Sequence, residues 1–312
     1  MKIASFLPSA TEILFALGAG AEVCGVTFEC DYPTEAAAVP VVVHSWMQAG
    51  LSPRAIDDLV RATAHAGGSL YVVDWQRLQV LAPDLVIAQD LCRVCAIDTP
   101  TLARELSELP HPPQVLSLEP HGLYDVLYDI ERVGEAIGRK DTAHALTAAL
   151  RARLDDVRHA SARDTGRKPR VLCLEWLDPL YQGGHWVPEM VEIVGGDAVL
   201  TTPGAKSVRL SWEQVLEADP EIVVLMPCGY HLRETLEQFR AMSLPAGWVA
   251  LTAVRTGRVY AVDGTAYFSR PGPRLVEGVE ILRAILCDDG RGAAFTALPT
   301  ESVARVDPGP PL

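Results

Sequence analysis

Apolar residues recur at helical spacing along residues 141–162, DTAHALTAALRARLDDVRHASA. Leu146, Leu150, Leu154 and Val157 line one face, with Arg, Asp and His on the other. Asp141 is an N-cap residue, and no Pro or Gly interrupts the run before Gly166. At about 1.5 Å per residue such a helix spans roughly 33 Å, the width of a small domain. On either side the pattern alternates between short buried-strand runs and amphipathic helices. The stretch therefore reads as a rigid strut between two α/β lobes, with function expected in the gap between them. The alternative is a long surface helix of one continuous domain.

In the first half, Lys2–Phe6 reads as a strand, with Ser9 capping a helix over Ala10–Leu17. Glu22–Val26 and Val39–Val43 follow as strands, each running into a polar loop, Thr27–Pro33 and His44–Gln48. Ser52-Pro53 opens a helix, because Pro suits the first helical position. Trp75–Leu81 and Thr101–Leu109 read as helices, Asp84–Ala88 and Gln114–Leu118 as strands, and Leu123–Ile137 as the helix before the strut. In the second half Arg170–Leu174 opens as a strand with Glu175–Pro179 as its exit loop. Helices are predicted over Pro188–Val194, Trp212–Glu217, His231–Ala241 and Arg274–Leu286, and strands over Glu221–Leu225 and Arg258–Val262. The expected division is a lobe over 1–140, the linking helix over 141–165, a lobe over 166–290 and a frayed, Gly- and Pro-rich tail over 291–312. An approximate repeat fits two lobes: Gln79-Val80-Leu81, then Pro83-Asp84 and a buried strand, returns as Gln214-Val215-Leu216, then Pro220-Glu221 and a buried strand. The fold class is α/β, with two Rossmann-like lobes whose sheets are of the parallel type.

The 312 residues are enough for two domains, and 49% apolar with 21% charged residues is a globular balance. A net charge of −13 argues against nucleic acid and anionic lipid as partners. No run approaches the ~18 apolar residues of a membrane span. The start, MKIASFLPSATEILF, goes directly into strand and helix without a basic segment, a long apolar core or a cleavage site. As written, the expected compartment is the cytoplasm, with reduced thiols.

The ordered set Ser5-Phe6-Leu7-Pro8-Ser9-Ala10-Thr11-Glu12, Gly183-Gly184-His185-Trp186 through Glu189 to Gly195-Gly196, Leu210–Leu216 with Asp219-Pro220-Glu221, and Ser269–Leu275 resembles the helical-backbone substrate-binding proteins of ABC transporters, in their cobalamin- and siderophore-binding branch. The resemblance covers about residues 1–287. It implies two α/β lobes bridged by one long helix, a ligand held in the cleft with little hinge motion, transporter components as partners, and Glu12 where the family carries an acidic docking residue. Two departures stand out: no secretion signal or lipid anchor is written, and the cysteines described next are not a family feature.

Ligands of parallel α/β sheets sit beyond the carboxyl ends of the strands. There this sequence places Cys30, His44, Trp46, and Cys92-x-x-Cys95. Cys92 and Cys95 have a chelate spacing, Cys30 adds a third thiolate, and His44 a fourth donor. The set suits zinc, or an iron–sulfur cluster with one open position. A redox dithiol and plain buried thiols are the alternatives. Cys24, Cys173, Cys228 and Cys287 lie in or beside apolar runs and are expected in the core. Trp46, Trp176 and Trp186 are expected as ligand-gripping rings, while Trp75 and Trp212 suit helix packing. His185 is an axial-ligand candidate for a corrinoid cobalt or haem iron, or a hydrogen-bonding residue. Arg270, with Arg274, flanks Pro271-Gly272-Pro273 and offers an anion site or a stiff charged turn. No nucleophile elbow, zinc-protease, Walker or dinucleotide motif is present. The expected function is a non-enzymatic binding protein for a corrinoid, haem or siderophore-like ligand, with cobalamin the leading candidate. The alternative is a metal or iron–sulfur redox protein using Cys30, Cys92 and Cys95.

Overall fold

The computed structural model describes residues 1–48, 50–89, 99–164, 166–290 and 292–307. The chain divides into two units: residues 1–120 with 124–149, and residues 121–123 with 150–312.

In the first unit the order is β1 Ile3–Ser5, α1 Pro8–Ala16, β2 Val23–Thr27, β3 Val41–Ser45, α2 Pro53–His65, β4 Tyr71–Val73, α3 Trp75–Leu81, β5 Leu85–Gln89, α4 Thr99–Ser107, β6 Gln114–Leu118 and α5 Leu123–Ala136. The sheet runs β4-β3-β2-β1-β5-β6, parallel throughout except for antiparallel β3–β4. The alternating strand and helix pattern dictates this, since each helical crossover returns the chain parallel to its neighbour. Ala4, Phe6, Val42, Val86, Leu78, Leu102 and Leu106 pack together beneath the strands. Ser9 is not the cap of α1: Leu7 stands there without a side-chain bond, Pro8 is the first helical residue, and Ser9 is 2% exposed.

Helix α6, Lys140–Ala162, passes from one unit into the other, since the division falls between Ala149 and Leu150. Its buried stripe is Ala143, Thr147, Leu150, Leu154 and Ser161, so the face lies slightly round from the predicted one and Leu146 is only half-buried. Small residues win on this face because α5 comes close: a Cβ on Gly134 stands 2.3 Å from that of Ala143.

The second unit continues with β7 Arg170–Leu177, β8 Leu180–Gln182, α7 Val187–Ile193, β9 Asp197–Ala198, α8 Trp212–Ala218, β10 Ile222–Leu225, α9 Leu232–Ala241, α10 Thr252–Arg255, β11 Val259–Val262, α11 Leu275–Cys287 and β12 Val303–Arg305. Its sheet runs β12-β11-β10-β7-β8, with β9 also on β7. Parallel β7–β10–β11 form the centre, and antiparallel β8 and β12 the two edges. The core below gathers Leu172, Val215, Val223, Leu225, Phe239, Trp248 and Val259.

Residues 303–305, expected in a frayed tail, are instead an ordered edge strand. The reason lies at Asp288, whose Oδ2 accepts the Tyr260 hydroxyl at 2.9 Å and the Arg305 guanidinium at 2.5 Å, and whose Oδ1 accepts the Gly290 N–H at 3.0 Å. Phe295 packs edge-on to Tyr260 with ring centroids 6.0 Å apart. Among the described residues no helix is long and apolar enough to cross a membrane.

Candidate functional site

In the first unit the carboxyl ends of β2 and β3 carry the expected chemistry. Cys30 is buried, and its sulfur lies 3.1 and 3.3 Å from the hydroxyls of Thr11 and Thr27. The thiol is thus engaged by two neutral side chains. His44 is not in a loop. It is a residue of β3, paired with Val72 of β4, a strand the sequence pattern missed. Cys92 and Cys95 lie outside the described residues, and among the described residues no group of His, Cys, Asp and Glu is arranged to hold a metal. Of the cysteines expected in the core, Cys173 is buried, whereas Cys24 is half-buried and Cys228 and Cys287 are exposed. The Cys173 thiol is pushed up to about 12, first by burial and then by the nearby Glu175 carboxylate.

Trp46 is 48% exposed. Its indole N–H donates to the Ser69 carbonyl at 2.9 Å and its main-chain N–H to the Leu70 carbonyl at 3.3 Å. The ring is therefore fixed while half of it faces solvent. Phe28, 45% exposed, sits 6.2 Å from the ring of Tyr71, an aromatic group absent from the sequence reading. Glu12 is 4% exposed, so the first helix does not present it for docking.

In the second unit, Trp176 belongs to β7 itself, which runs on to Leu177 before turning back into β8. Its indole N–H donates to the Asp178 carbonyl at 3.1 Å, and its ring lies 5.6 Å from that of Tyr230. Tyr230 follows β10, the strand beside β7, so two neighbouring parallel strands deliver the two rings to one edge. The Tyr230 phenol is raised above its ordinary value, mainly by burial and then by Glu234 and Cys228. The carboxyl-end rule applied to the Ile222–Leu225 strand was the signal that could have found Tyr230.

The loop holding Tyr230 is tied to the exit of β11. The Tyr230 carbonyl accepts the Thr265 N–H at 3.2 Å, and Nδ1 of His231 lies 2.8 Å from Oδ2 of Asp263. Asp263 Oδ1 accepts the Ala266 N–H at 2.7 Å, at the start of a π-helical turn over Thr265–Ser269. Such turns recur at functional sites. Arg270 ends it and is 8% exposed, a buried cation and not a surface charge. The Arg274 guanidinium lies 5.8 Å from the centre of the Tyr267 ring.

Trp186 is turned into the protein. It is 5% exposed, and its indole N–H donates to the Phe268 carbonyl at 2.7 Å, so it anchors the π turn from beneath. Trp75 and Trp212 pack against the cores, as helix-side residues should. His185 is only partly buried and sits at φ +54°. Its Nδ1 is enclosed without a hydrogen-bond partner among the described residues. Its pKa is lowered from 6.5, first by burial and then by His121 and Lys206. At neutral pH the imidazole is neutral, the form that ligates metals or exchanges hydrogen bonds.

The second unit thus offers an aromatic pair, a neutral imidazole and a buried guanidinium. The family described as periplasmic binding protein matches residues 3–266. An uncharacterized ABC transporter substrate-binding lipoprotein, YvrC of Bacillus subtilis strain 168, is 27% identical over 293 residues, covering 92% of this chain and 80% of its own. The crystal structure of the periplasmic vitamin B12 binding protein BtuF of Vibrio cholerae superposes with a TM-score of 0.67 at 21% identity, over 91% of this chain and 96% of that one. The apo form of the periplasmic heme-binding protein RhuT of Roseiflexus sp. RS-1 gives 0.66 at 23%, over 91% and 97%.

Proposed function

The chain belongs to the periplasmic binding protein family, and from that premise we propose that it binds a metal-bearing macrocycle or metal chelate, a corrinoid first, with haem and ferric siderophore-type chelates as the other members of the class. It is a binder and not an enzyme. The observation that carries the reading is the Trp176–Tyr230 pair, rings 5.6 Å apart at the carboxyl edge of β7 and β10. Flat, partly apolar ligands gain most of their affinity by burying area against such rings. The vitamin B12 and heme named for the structurally similar proteins are of that shape. Trp46, with Phe28 and Tyr71, is proposed as a ligand contact of the first unit. An ABC transporter is the partner this reading implies.

Calorimetric titration of the full chain with cyanocobalamin, haemin and a ferric hydroxamate tests it. One of the three should bind, and Trp176→Ala should weaken that ligand roughly thirtyfold, the effect of losing a central aromatic contact. No heat and no thermal shift with any of them at saturating concentration would overturn it.

A further inference from the structure

Residues 201–209 run antiparallel along β8 and the glycines after it. The Gln182 N–H donates to the Val208 carbonyl at 3.2 Å, the His185 N–H to Ala205 at 2.6 Å, and the Gly204 N–H back to His185 at 2.9 Å. Gly184 allows the approach: a Cβ there would stand 2.5 Å from the Ser207 nitrogen. Yet this zipped pair is costly. Gln182 Oε1, His185 Nδ1 and Ser207 Oγ are all enclosed without partners among the described residues, and Gln182 is 2% exposed. Buried polar atoms are almost always satisfied, so three unsatisfied ones on facing segments call for a cause. His185 at φ +54° and Leu200 at φ +63°, where the segment begins, both occupy left-handed backbone that a leucine rarely adopts. The segment itself offers little packing, since Thr202, Pro203, Gly204, Lys206, Val208 and Arg209 are exposed.

We propose that Thr201–Arg209 is a strap, hinged at Leu200, that lifts from Gly183–His185 and admits a carboxamide edge of the ligand to Gln182, His185 and Ser207. Lifting opens all three enclosed atoms and frees the backbone at Leu200. Against this stands the loss of the main-chain bonds above and of those from Gln182 Nε2 to the Lys206 carbonyl at 3.4 Å and from the Thr201 hydroxyl to the Gly183 carbonyl at 3.1 Å. A carboxamide matches the seat because its carbonyl accepts from the hydroxyl and the imidazole N–H while its N–H donates to Gln182 Oε1. A carboxylate has no proton for that oxygen. The charged groups facing His185 are His121 and Lys206, with Glu175 accepting the Gly184 N–H at 3.4 Å and Glu189 the Leu123 N–H at 2.7 Å. The inference rests on the ligand-binding reading above only for what enters the seat; the strap stands without it.

Residue-resolved hydrogen exchange on the full chain tests it, with cyanocobalamin as the amide-rich probe and haemin as the carboxylate probe. In the free protein the Gln182, His185 and Gly204 amides, all bonded across the strap, should exchange roughly tenfold faster than Gly183, which is bonded to Cys173 of β7. Ser207→Ala removes one enclosed hydroxyl and should slow them roughly fivefold. Excess cyanocobalamin, by holding the strap lifted, should speed them further, and haemin should not. Strap amides as slow as Gly183, or unmoved by Ser207→Ala, overturn the strap. Cyanocobalamin that binds without speeding them overturns the seat and leaves the ligand reading standing. Absence of any cyanocobalamin binding with fast strap amides supports the strap while removing the corrinoid reading.

Discussion

Glu221 grips Arg170 at both main-chain atoms: its carboxylate accepts the Arg170 N–H at 3.0 Å, and its own N–H donates to the Arg170 carbonyl at 2.9 Å. Asp84 does the same to Lys2 in the other unit, at 2.7 and 2.8 Å. Each clamp follows a helix closed by a left-handed C-cap residue, Ala82 at φ +47° and Asp219 at φ +35°, and then a proline. Each fixes the first residues of the strand that pairs with the one the acid opens, β1 with β5 and β7 with β10. The internal repeat is therefore a repeated device for setting register. Asp84→Ala and Glu221→Ala should each lower stability by about 1 kcal/mol, the net worth of a charge-assisted bond near the surface. The double variant should lose the sum to within about 0.5 kcal/mol, because the clamps share no partner. Urea unfolding measures all three.

Gly134 is where α5 and α6 approach each other. Gly134→Ala sets two β-carbons 2.3 Å apart, with the Arg139 carbonyl at 3.3 Å as a further obstacle. The overpacking should cost about 1–3 kcal/mol, outweighing the helix propensity that alanine adds. A fall in thermal midpoint is the expected result, and a rise would mean that the helices can separate freely.

Asp288 titrates the C-terminal segment. Burial alone would raise its carboxyl, but the Gly290 N–H, the Tyr260 hydroxyl and Arg305 outweigh it, and the pKa lies below the ordinary 3.8. A depressed carboxyl contributes stability above its unfolded value and loses it as the pH falls toward the folded one. Below about pH 4 the segment should therefore release. Asp288→Asn should remove that acid dependence and cost about 2 kcal/mol at neutral pH. Proteolysis of the 292–307 segment against pH reads both.

His185 titrates in the same sense, in a higher pH range. Its lowered pKa means that the open or unfolded chain takes up the proton first, so stability should fall as pH drops below the ordinary 6.5. Asn tolerates left-handed backbone and does not titrate. His185→Asn should flatten the stability profile between pH 5 and 7, measured by chemical denaturation at fixed ionic strength.

The sequence was most legible where periodicity is long. Helix α6 and the buried strands β5 and β10 announce themselves, because a dozen or more residues, or an unbroken β-branched run, leave little choice. The three-residue strands β4, β8 and β12 do not, since partners and not propensity decide them: Tyr71–Val73 needs His44, and Val303–Arg305 needs Asp288. The site was legible in kind but less so in residues. Trp176, expected in a loop, lies in β7, and Trp186, one position after His185, turns inward to the Phe268 carbonyl, a partner 82 residues away. Tyr230 and Phe28 were missed because each gains meaning only beside another ring.

The three residues of β12 also cover something. Without them the outer side of β11 would present unpaired N–H and C=O groups along Val259–Val262, a template for another chain. Asp288 and Arg305 thus guard solubility as well as stability. A chain cut shortly before Gly290 should self-associate through that bared edge, turning a question about folding into one about aggregation.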